Sequence, residues 1–191
     1  MTGTDGRPLR ADAQRNRDQI LAAAARAFSK SGLEATLEGI AKDACVGIGT
    51  LYRHFPTREL LIEAAYRNEL AAVCDAAPEL LDAMPPAEAL RAWMGRYIDY
   101  MTRKLGMADA LRAVIASGAN PYAQSFELLV GAIKPLLDAG VAAGDIRSDV
   151  SAEDVLISLN GIALAAGSKR EQADRLVNLL LDGLRYRQAG T

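Results

Sequence analysis

The chain has 191 residues, of which 50% are hydrophobic and 24% are charged. This length and composition allow a buried core in one or two domains and exclude global disorder. The formal net charge of −2 is unevenly distributed, since residues 1–58 hold nine Lys or Arg against six Asp or Glu, and the rest holds 13 against 18. A basic head on an acidic body suits a small DNA-binding domain attached to a larger domain that does not bind DNA.

The sequence contains no apolar run long enough to span a membrane. Its N-terminal residues carry charges of both signs and lack the apolar stretch of a secretory signal, so we expect a cytoplasmic protein. Cys45 and Cys74 lack the spacing of a metal site, and two thiols do not form a disulfide framework. We interpret both as small, buried hydrophobic residues rather than redox sensors, and nothing in the sequence indicates a cofactor or a metal ion.

Residues 1–11 show no hydrophobic periodicity and contain two glycines and a proline, which predicts a flexible arm. Arginines in and after this segment either contact DNA or stay in solvent. They are Arg7, Arg10, Arg15 and Arg17. A first helix is predicted over residues 13–31, because apolar residues repeat every four positions and Gly32 can end the helix.

Residues 36–61, with the sequence TLEGIAKDACVGIGTLYRHFPTRELL, predict two short helices joined by a sharp turn. Thr36 is a suitable N-cap for the first helix, and Gly47 begins the second. In the second helix Leu51 and Phe55 are four residues apart and are expected to face inward. The outward face is mostly polar and partly cationic, and it comprises Ile48, Gly49, Thr50, Arg53 and His54.

This run resembles the DNA-binding helix-turn-helix of the TetR family of bacterial transcriptional regulators. The resemblance covers about the first 60 residues. It rests on Ile40, Ala41, Val46, the run GTLYRHF at 49–55, Arg58 and Leu61. Cys45 stands where the family commonly has glycine, and Gly47 stands where it commonly has a capping serine. A non-glycine residue costs roughly 1 kcal/mol if the turn requires positive φ, whereas glycine is a tolerable N-cap.

The resemblance implies roles for the outward residues. Thr50 and Arg53 are candidate base readers, with Gly49 beside them, and Ile48 is expected against a thymine methyl. Phosphate contacts are expected from side-chain donors and from backbone N–H groups at the start of the first helix of the motif. These residues are Thr36, Leu37, Tyr52, His54 and Arg58. Each one alone is more commonly a packing or solvated residue, but the set in this spacing favours DNA binding.

Further helices are predicted over residues 58–75, 87–105, 108–117, 122–143, 152–166 and 171–188. Pro78 and Pro85 are expected to bracket a separate short helical piece, and Pro135 is expected to kink the long helix. Since no run alternates in β-branched residues, the chain is predicted to be all-α with about nine helices. We expect a three-helix DNA-binding domain over residues 1–58 and a larger helical domain for effector binding and dimerisation over residues 59–191.

Two apolar stripes in the larger domain either pack in its core, which is the commoner outcome, or line a pocket between helices. The stripes are Trp93, Tyr97, Tyr100 and Met101 on one helix and Phe126, Leu129 and Ile133 on another. The family resemblance implies that this region binds a small-molecule effector.

The last two helices carry small and aliphatic residues that permit close helix approach. The resemblance implies that these helices form a four-helix homodimer interface, and the alternative is that they only cover their own core. The residues are Leu156, Ser158, Gly161, Ile162, Ala165, Leu176, Leu180 and Leu184, with Ala166 and Leu179 in the same stripes.

We therefore expect a sequence-specific transcriptional regulator, a ligand-responsive repressor that binds a palindromic operator in double-stranded DNA as a homodimer. Two alternatives stay open: a helical small-molecule-binding enzyme, and a protein-interaction module with a degenerate helix-turn-helix. The enzyme alternative is disfavoured because the single histidine, His54, lies in the outward face of the motif and has no evident nucleophile beside it. No catalytic residue is predicted.

Overall fold

The computed structural model describes the backbone of residues 7–185 and the side chains of residues 12–185. This part of the chain contains nine α-helices, one short 3-10 helix and no strand, which confirms the all-α prediction. An isolated antiparallel bridge joins Ile146 to Arg185. None of the described helices combines the length and the apolar character needed to cross a membrane.

The helices follow one another with short connections. They are α1 (Arg7–Ser31), the 3-10 helix (Gly32–Glu34), α2 (Leu37–Asp43), α3 (Ile48–His54), α4 (Arg58–Ala83), α5 (Pro86–Gly106), α6 (Ala108–Ala116), α7 (Ser125–Ala142), α8 (Ala152–Ala166) and α9 (Arg170–Leu184). Contacts between residues divide the chain into two units. Unit 1 is Met1–Glu69 with Arg103–Pro121, and unit 2 is Leu70–Thr102 with Tyr122–Thr191.

Unit 1 is formed around α1, which packs against α2, α3 and the 3-10 helix. The predicted apolar stripe of α1 is buried, including Ile20 and Phe28. Gly32 has φ of +50° and follows the last residue of α1, as predicted for a helix-ending glycine. The helix begins at Arg7 rather than after residue 11, so the second half of the expected arm is helical. Residues 1–6, and the side chains of Arg7 and Arg10, lie outside the described residues.

The helix α6 also belongs to unit 1, where it packs against the 3-10 helix. The end of α5 approaches α1 so closely that a Cβ on Gly106 would collide with the carbonyl group of Ser29. A Cβ on Gly32 would lie 3.9 Å from the Cβ of Asp109 in α6, which is an ordinary contact distance. The boundaries between the two units therefore differ from the predicted domain boundary at residue 58. Residues 59–69 and 103–121 pack with the N-terminal helices and belong to unit 1.

Unit 2 contains the rest of α4 and α5 together with α7, α8 and α9, and α8 packs against both α7 and α9. The indole N–H of Trp93 donates to the carbonyl of Val73 at 2.8 Å, which ties α5 to α4 within this unit. The hydroxyl of Ser151 accepts from the N–H of Asp154 at 3.0 Å and so caps α8.

Three further helix boundaries were predicted wrongly. The helix α9 ends at Leu184 rather than at residue 188, because Arg185 has an extended backbone. The helix α4 does not end near residue 75 but continues through Pro78 to Ala83, because Ala76, Ala77 and Leu80 are buried on both sides of the proline and their packing overrides its low helix propensity. The helix α7 begins at Ser125 rather than at residue 122, because Gln124 has φ of +62°, which no α-helical residue adopts. Pro135 lies inside α7, which continues past it.

Candidate functional site

The turn between α2 and α3 is closed by a set of local hydrogen bonds. At the start of α2 the hydroxyl of Thr36 accepts from the N–H of Gly39 at 3.1 Å, which confirms the predicted cap. At the end of α2 the N–H of Cys45 donates to the carbonyl of Lys42, and the N–H of Val46 donates to the carbonyl of Ala41, both at 3.0 Å. This pattern is a Schellman motif with Cys45 at the left-handed position. Its φ of +55° confirms that the turn requires the conformation that favours glycine.

The helix α3 is anchored by Leu51 and Phe55, which are both buried as predicted. Gly47 precedes it in extended conformation without a side-chain cap. The opposite face is open to solvent, with Ile48 38% exposed and Tyr52 45% exposed. Arg53 and Gly49 are also exposed, and Thr50 and His54 are half-buried. A Cβ added to Gly49 would meet no atom within 4 Å, so the backbone is free to approach a partner closely here.

The start of α2 offers backbone donors close to α3. Thr36 is exposed and Leu37 is half-buried. The carbonyl of Thr36 accepts from the N–H of Ile40 at 3.0 Å, so the N–H of Leu37 precedes the first intrahelical hydrogen bond. Together, α2 and α3 place backbone donors, a phenol, an imidazole and a guanidinium on one short segment of chain, and such groups bind phosphates and base edges.

Two arginines of unit 1 hold α1 against the junction of α3 and α4. Arg58 donates from Nη2 to the carbonyl of Leu33 at 2.6 Å, and its Cζ lies 5.2 Å from the ring centre of Phe28. The Cζ of Arg17 lies 5.5 Å from the ring centre of Phe55. Both are cation–π contacts. These contacts were not predictable from local patterns in the sequence, because each joins residues that are more than 20 positions apart.

The aromatic stripe of α5 lies inside unit 2, where Trp93, Tyr97, Tyr100 and Met101 are all buried. The rings of Trp93 and Tyr97 stack with centres 5.6 Å apart, and the hydroxyl of Tyr97 donates to Oδ1 of Asn160 at 2.8 Å. Sequence reasoning had not singled out Asn160.

The second stripe is divided. Leu129 and Ile133 are buried, but Phe126 is 45% exposed and lies outside the interior that the other two share.

The predicted interface residues of α8 and α9 also divide into two groups. Leu156 and Leu184 are buried inside unit 2, which is a correction, because side chains that fill their own core are not available to a second copy. Ser158, Gly161 and Ala165 are exposed, and Ile162, Leu176 and Leu180 are half-buried.

The largest apolar exposure on these two helices is at Ile157 (58%), Leu164 (62%) and Leu179 (67%). Ile157 and Leu164 were not among the predicted interface residues. Their spacing of seven residues, with Gly161 between them, was the available signal, because it places all three on one helix face.

An ion-pair network joins α5 to α9. Arg170 pairs with Asp99 and, at 3.0 Å, with Asp174, and Arg91 lies 3.4 Å from Asp174. Burial alone would raise the pKa of Asp174, but the hydrogen bonds and charges of Arg170 and Arg91 outweigh it and hold this pKa below its usual range. These groups neutralise one another, and no cluster of His, Cys, Asp or Glu among the described residues could hold a metal ion.

Two half-buried groups outside this network also have shifted pKa values. Burial, followed by the neighbouring charge of Asp75, raises the pKa of the Cys74 thiol to about 11. Burial lowers the pKa of Lys104, whose ammonium lies 6.0 Å from the ring centre of Tyr66. Neither group contributes to the outward face of α3.

Two family models match the chain. Residues 20–65 match the model described as "Bacterial regulatory proteins, tetR family". Residues 85–186, more than half of the chain, match the model described as "Transcriptional regulator SbtR-like, C-terminal domain". The first match covers α2 and α3, and the second covers most of unit 2.

Solved structures and a curated relative agree with these matches. The TetR transcriptional regulator SCO0520 from Streptomyces coelicolor is 60% identical, with 90% of this chain and 99% of that chain covered and a TM-score of 0.88. A TetR transcription regulatory protein from Mycobacterium vanbaalenii is 32% identical, with 94% of this chain and 100% of that chain covered and a TM-score of 0.78. The HTH-type transcriptional repressor NicS of Pseudomonas putida is 28% identical over 167 residues, which are 83% of this chain and 78% of NicS. These relatives are transcriptional regulators rather than enzymes, and the chain belongs to the TetR family of DNA-binding bacterial transcriptional regulators.

Proposed function

We propose that this regulator is a ligand-responsive repressor, which acts in the cytoplasm and binds a palindromic operator as a homodimer. The observation that carries the proposal is the exposed face of α3, with Arg53 and Tyr52 beside the open backbone of Gly49. The role of a repressor is supported by similarity to NicS, whose name describes a transcriptional repressor. Ligand response and dimerisation are typical of the family.

In this proposal α3 lies in the major groove of the operator. Arg53 donates two hydrogen bonds to a guanine, Thr50 contacts a neighbouring base edge, and Ile48 packs against a thymine methyl. Gly49 allows the backbone to approach the bases, because it has no side chain to separate the backbone of α3 from the DNA. Each correct bidentate contact is expected to discriminate against the wrong base by about 1–3 kcal/mol.

Phosphate contacts hold α3 in register but do not select a sequence. We assign them to the phenol of Tyr52, the imidazole of His54 and the start of α2 at Thr36 and Leu37. The imidazole of His54 lies 6.2 Å from the ring of Phe55, measured between centres, and Phe55 is buried.

The effector is proposed to bind in unit 2 beside the buried aromatic stripe of α5. Stacked Trp93 and Tyr97 supply flat apolar surfaces, with Met101, Leu129 and Ile133 as further candidates, and the Tyr97–Asn160 pair supplies a hydrogen-bonding group. An apolar molecule with one polar group suits this lining. Trp93 is the only tryptophan of the chain, so its fluorescence is expected to report binding.

We propose that the homodimer forms through α8 and α9. The surface centred on Ile157, Leu164 and Leu179 is apolar, and Gly161 and Ala165 allow a partner helix to approach closely. A dimer presents two copies of α3 related by a twofold axis, which explains the expected palindrome. The helix α4 contributes to both units. It is the proposed route by which an effector changes the separation of the two copies of α3 in the dimer.

Selection of binding sites from random duplex DNA tests this function. Wild type and Arg53→Ala are compared at one fixed salt concentration, because affinity for DNA depends strongly on salt. Wild type is expected to enrich a palindrome whose half-sites are about one helical turn, or a multiple of it, apart. The variant is expected to enrich it weakly or with relaxed sequence. No enrichment by wild type at moderate salt would contradict the proposal.

A further inference from the structure

Arg58 occupies an unusual position for a cation, since it is the first residue of α4 and faces the positive end of the helix dipole. The helix itself therefore does not favour a cation there. The helix α4 is capped by the hydroxyl of Thr57, which accepts from the N–H of Leu60 at 3.2 Å. A different interaction must hold the guanidinium in place.

The structure shows two such interactions, and both go to the end of α1 and the segment that follows it. One N–H group of Arg58 donates to the carbonyl of Leu33 at 2.6 Å, and the guanidinium lies over the ring of Phe28, which is fully buried. A planar guanidinium is able to stack and to donate at once, whereas an ammonium is not. The side chain is half-buried as a result.

The segment held by Arg58 leads directly into the helix-turn-helix formed by α2 and α3. Leu33 lies in the 3-10 helix, three residues before Thr36, which caps α2. The helix α2 in turn fixes α3 through the hydrogen bonds of Cys45 and Val46. A change in the position of the Leu33 carbonyl would thus move the start of α2, and α3 with it.

We propose that Arg58 is a positioning residue, which orients the helix-turn-helix through the carbonyl of Leu33, and not a direct phosphate ligand. The family resemblance alone implied a phosphate contact for this residue. The inference rests on DNA binding by α3, and it assigns Arg58 to the preorganisation of that binding. Tyr52 and His54 keep the phosphate roles.

The salt dependence of operator binding distinguishes the two roles. A lost phosphate contact reduces the slope of log Kobs against log salt by about 0.9, and by about 1.8 when both protomers of a dimer lose it. A lost positioning contact weakens binding and leaves the slope unchanged. For Arg58→Gln we expect binding about tenfold weaker per half-site, hence about a hundredfold weaker for the dimer, with an unchanged slope, from the worth of a hydrogen bond to a charged group. Arg26→Gln removes the same charge from an exposed position of α1 and serves as the control.

Amide hydrogen exchange of the free protein supplies a second readout that does not require an operator. Residues 33–40 are expected to exchange about tenfold faster in Arg58→Gln and at the wild-type rate in Arg26→Gln, whereas the helices of unit 2 remain unchanged. A loss of global stability alone would accelerate exchange in every helix. If wild type selects no DNA site, the proposed function fails, whereas this exchange pattern still decides the role of Arg58 within the fold.

Arg58→Lys keeps the charge and decides the question if Arg58→Gln does not fold. A phosphate ligand tolerates lysine, but a stacked donor does not. We expect weaker binding and faster exchange in residues 33–40 with Arg58→Lys. A slope reduced by about 1.8 in Arg58→Gln, or wild-type affinity and exchange in Arg58→Lys, would overturn the proposal.

Discussion

The N–H of Val46 donates to the carbonyl of Ala41 at 3.0 Å, and this hydrogen bond closes the turn between the two helices of the DNA reader. The closure requires Cys45 to adopt φ of +55°, in the left-handed region. An L residue with a side chain is disfavoured there, whereas glycine is not. The reader thus carries a local strain at the turn between α2 and α3.

Replacing Cys45 with glycine should relieve this strain. We expect Cys45→Gly to raise the free energy of unfolding by roughly 0.5–1 kcal/mol, the left-handed penalty less the entropic cost of glycine. Urea denaturation of the whole chain measures the change. Cys45→Ala is the matched control, because it removes the thiol and keeps a Cβ at the same φ. If glycine and alanine give equal stability, the strain at this turn is negligible.

The two cysteines should differ in thiol chemistry. Cys45 is exposed, so the prediction of a buried thiol was wrong for this residue, because the left-handed turn places it at the surface. Cys74 is half-buried, and its pKa is raised to about 11 by burial and by Asp75. At pH 8 roughly one Cys74 in a thousand is then a thiolate, the species that reacts. A disulfide reagent should modify Cys45 quickly and Cys74 slowly, and the slow rate should rise with pH up to about 11. Cys45→Ser should abolish the fast phase. A fast phase that persists in this variant would contradict the assignment.

A charge on the apolar surface of α8 should separate the homodimer. Leu164 is 62% exposed beside Ile157 on the same helix face. Leu164→Glu should weaken the dimer by about a hundredfold or more, because two leucines lose their burial and two carboxylates are placed in an apolar interface. Sedimentation velocity measures the dissociation. Leu128→Glu, at a 50% exposed position of α7, is the control and should stay dimeric. Equal behaviour of the two variants would place the interface elsewhere.

The sequence predicted the parts of this protein that depend on local spacing. Leu51 and Phe55 were expected inside and Arg53 outside, because the helical period alone decides which face each residue occupies. Thr36 was recognised as a cap for the same reason, since a cap contacts a residue three positions away.

Contacts between distant residues were not predictable in this way. Arg58 and Leu33 are 25 positions apart, and no local pattern in the sequence distinguishes a stacked arginine from a phosphate ligand. The position of α6 in unit 1 depends on the close approach of Gly106 to Ser29, which is likewise tertiary. The helix break expected at Pro78 was wrong because Ala76, Ala77 and Leu80 pack in the core on both sides of the proline, and this packing overrides its low helix propensity.

The central claim is that Arg53 on α3 reads one base pair of each half-site. Its most direct test measures the affinity of wild type and Arg53→Ala for the selected operator and for every single base-pair variant, at one salt concentration. Arg53→Ala should bind the operator about 1–3 kcal/mol more weakly per half-site and should lose its preference at one position per half-site only. Uniform weakening across all sites, with every base preference retained, would contradict the claim and reduce Arg53 to a phosphate contact.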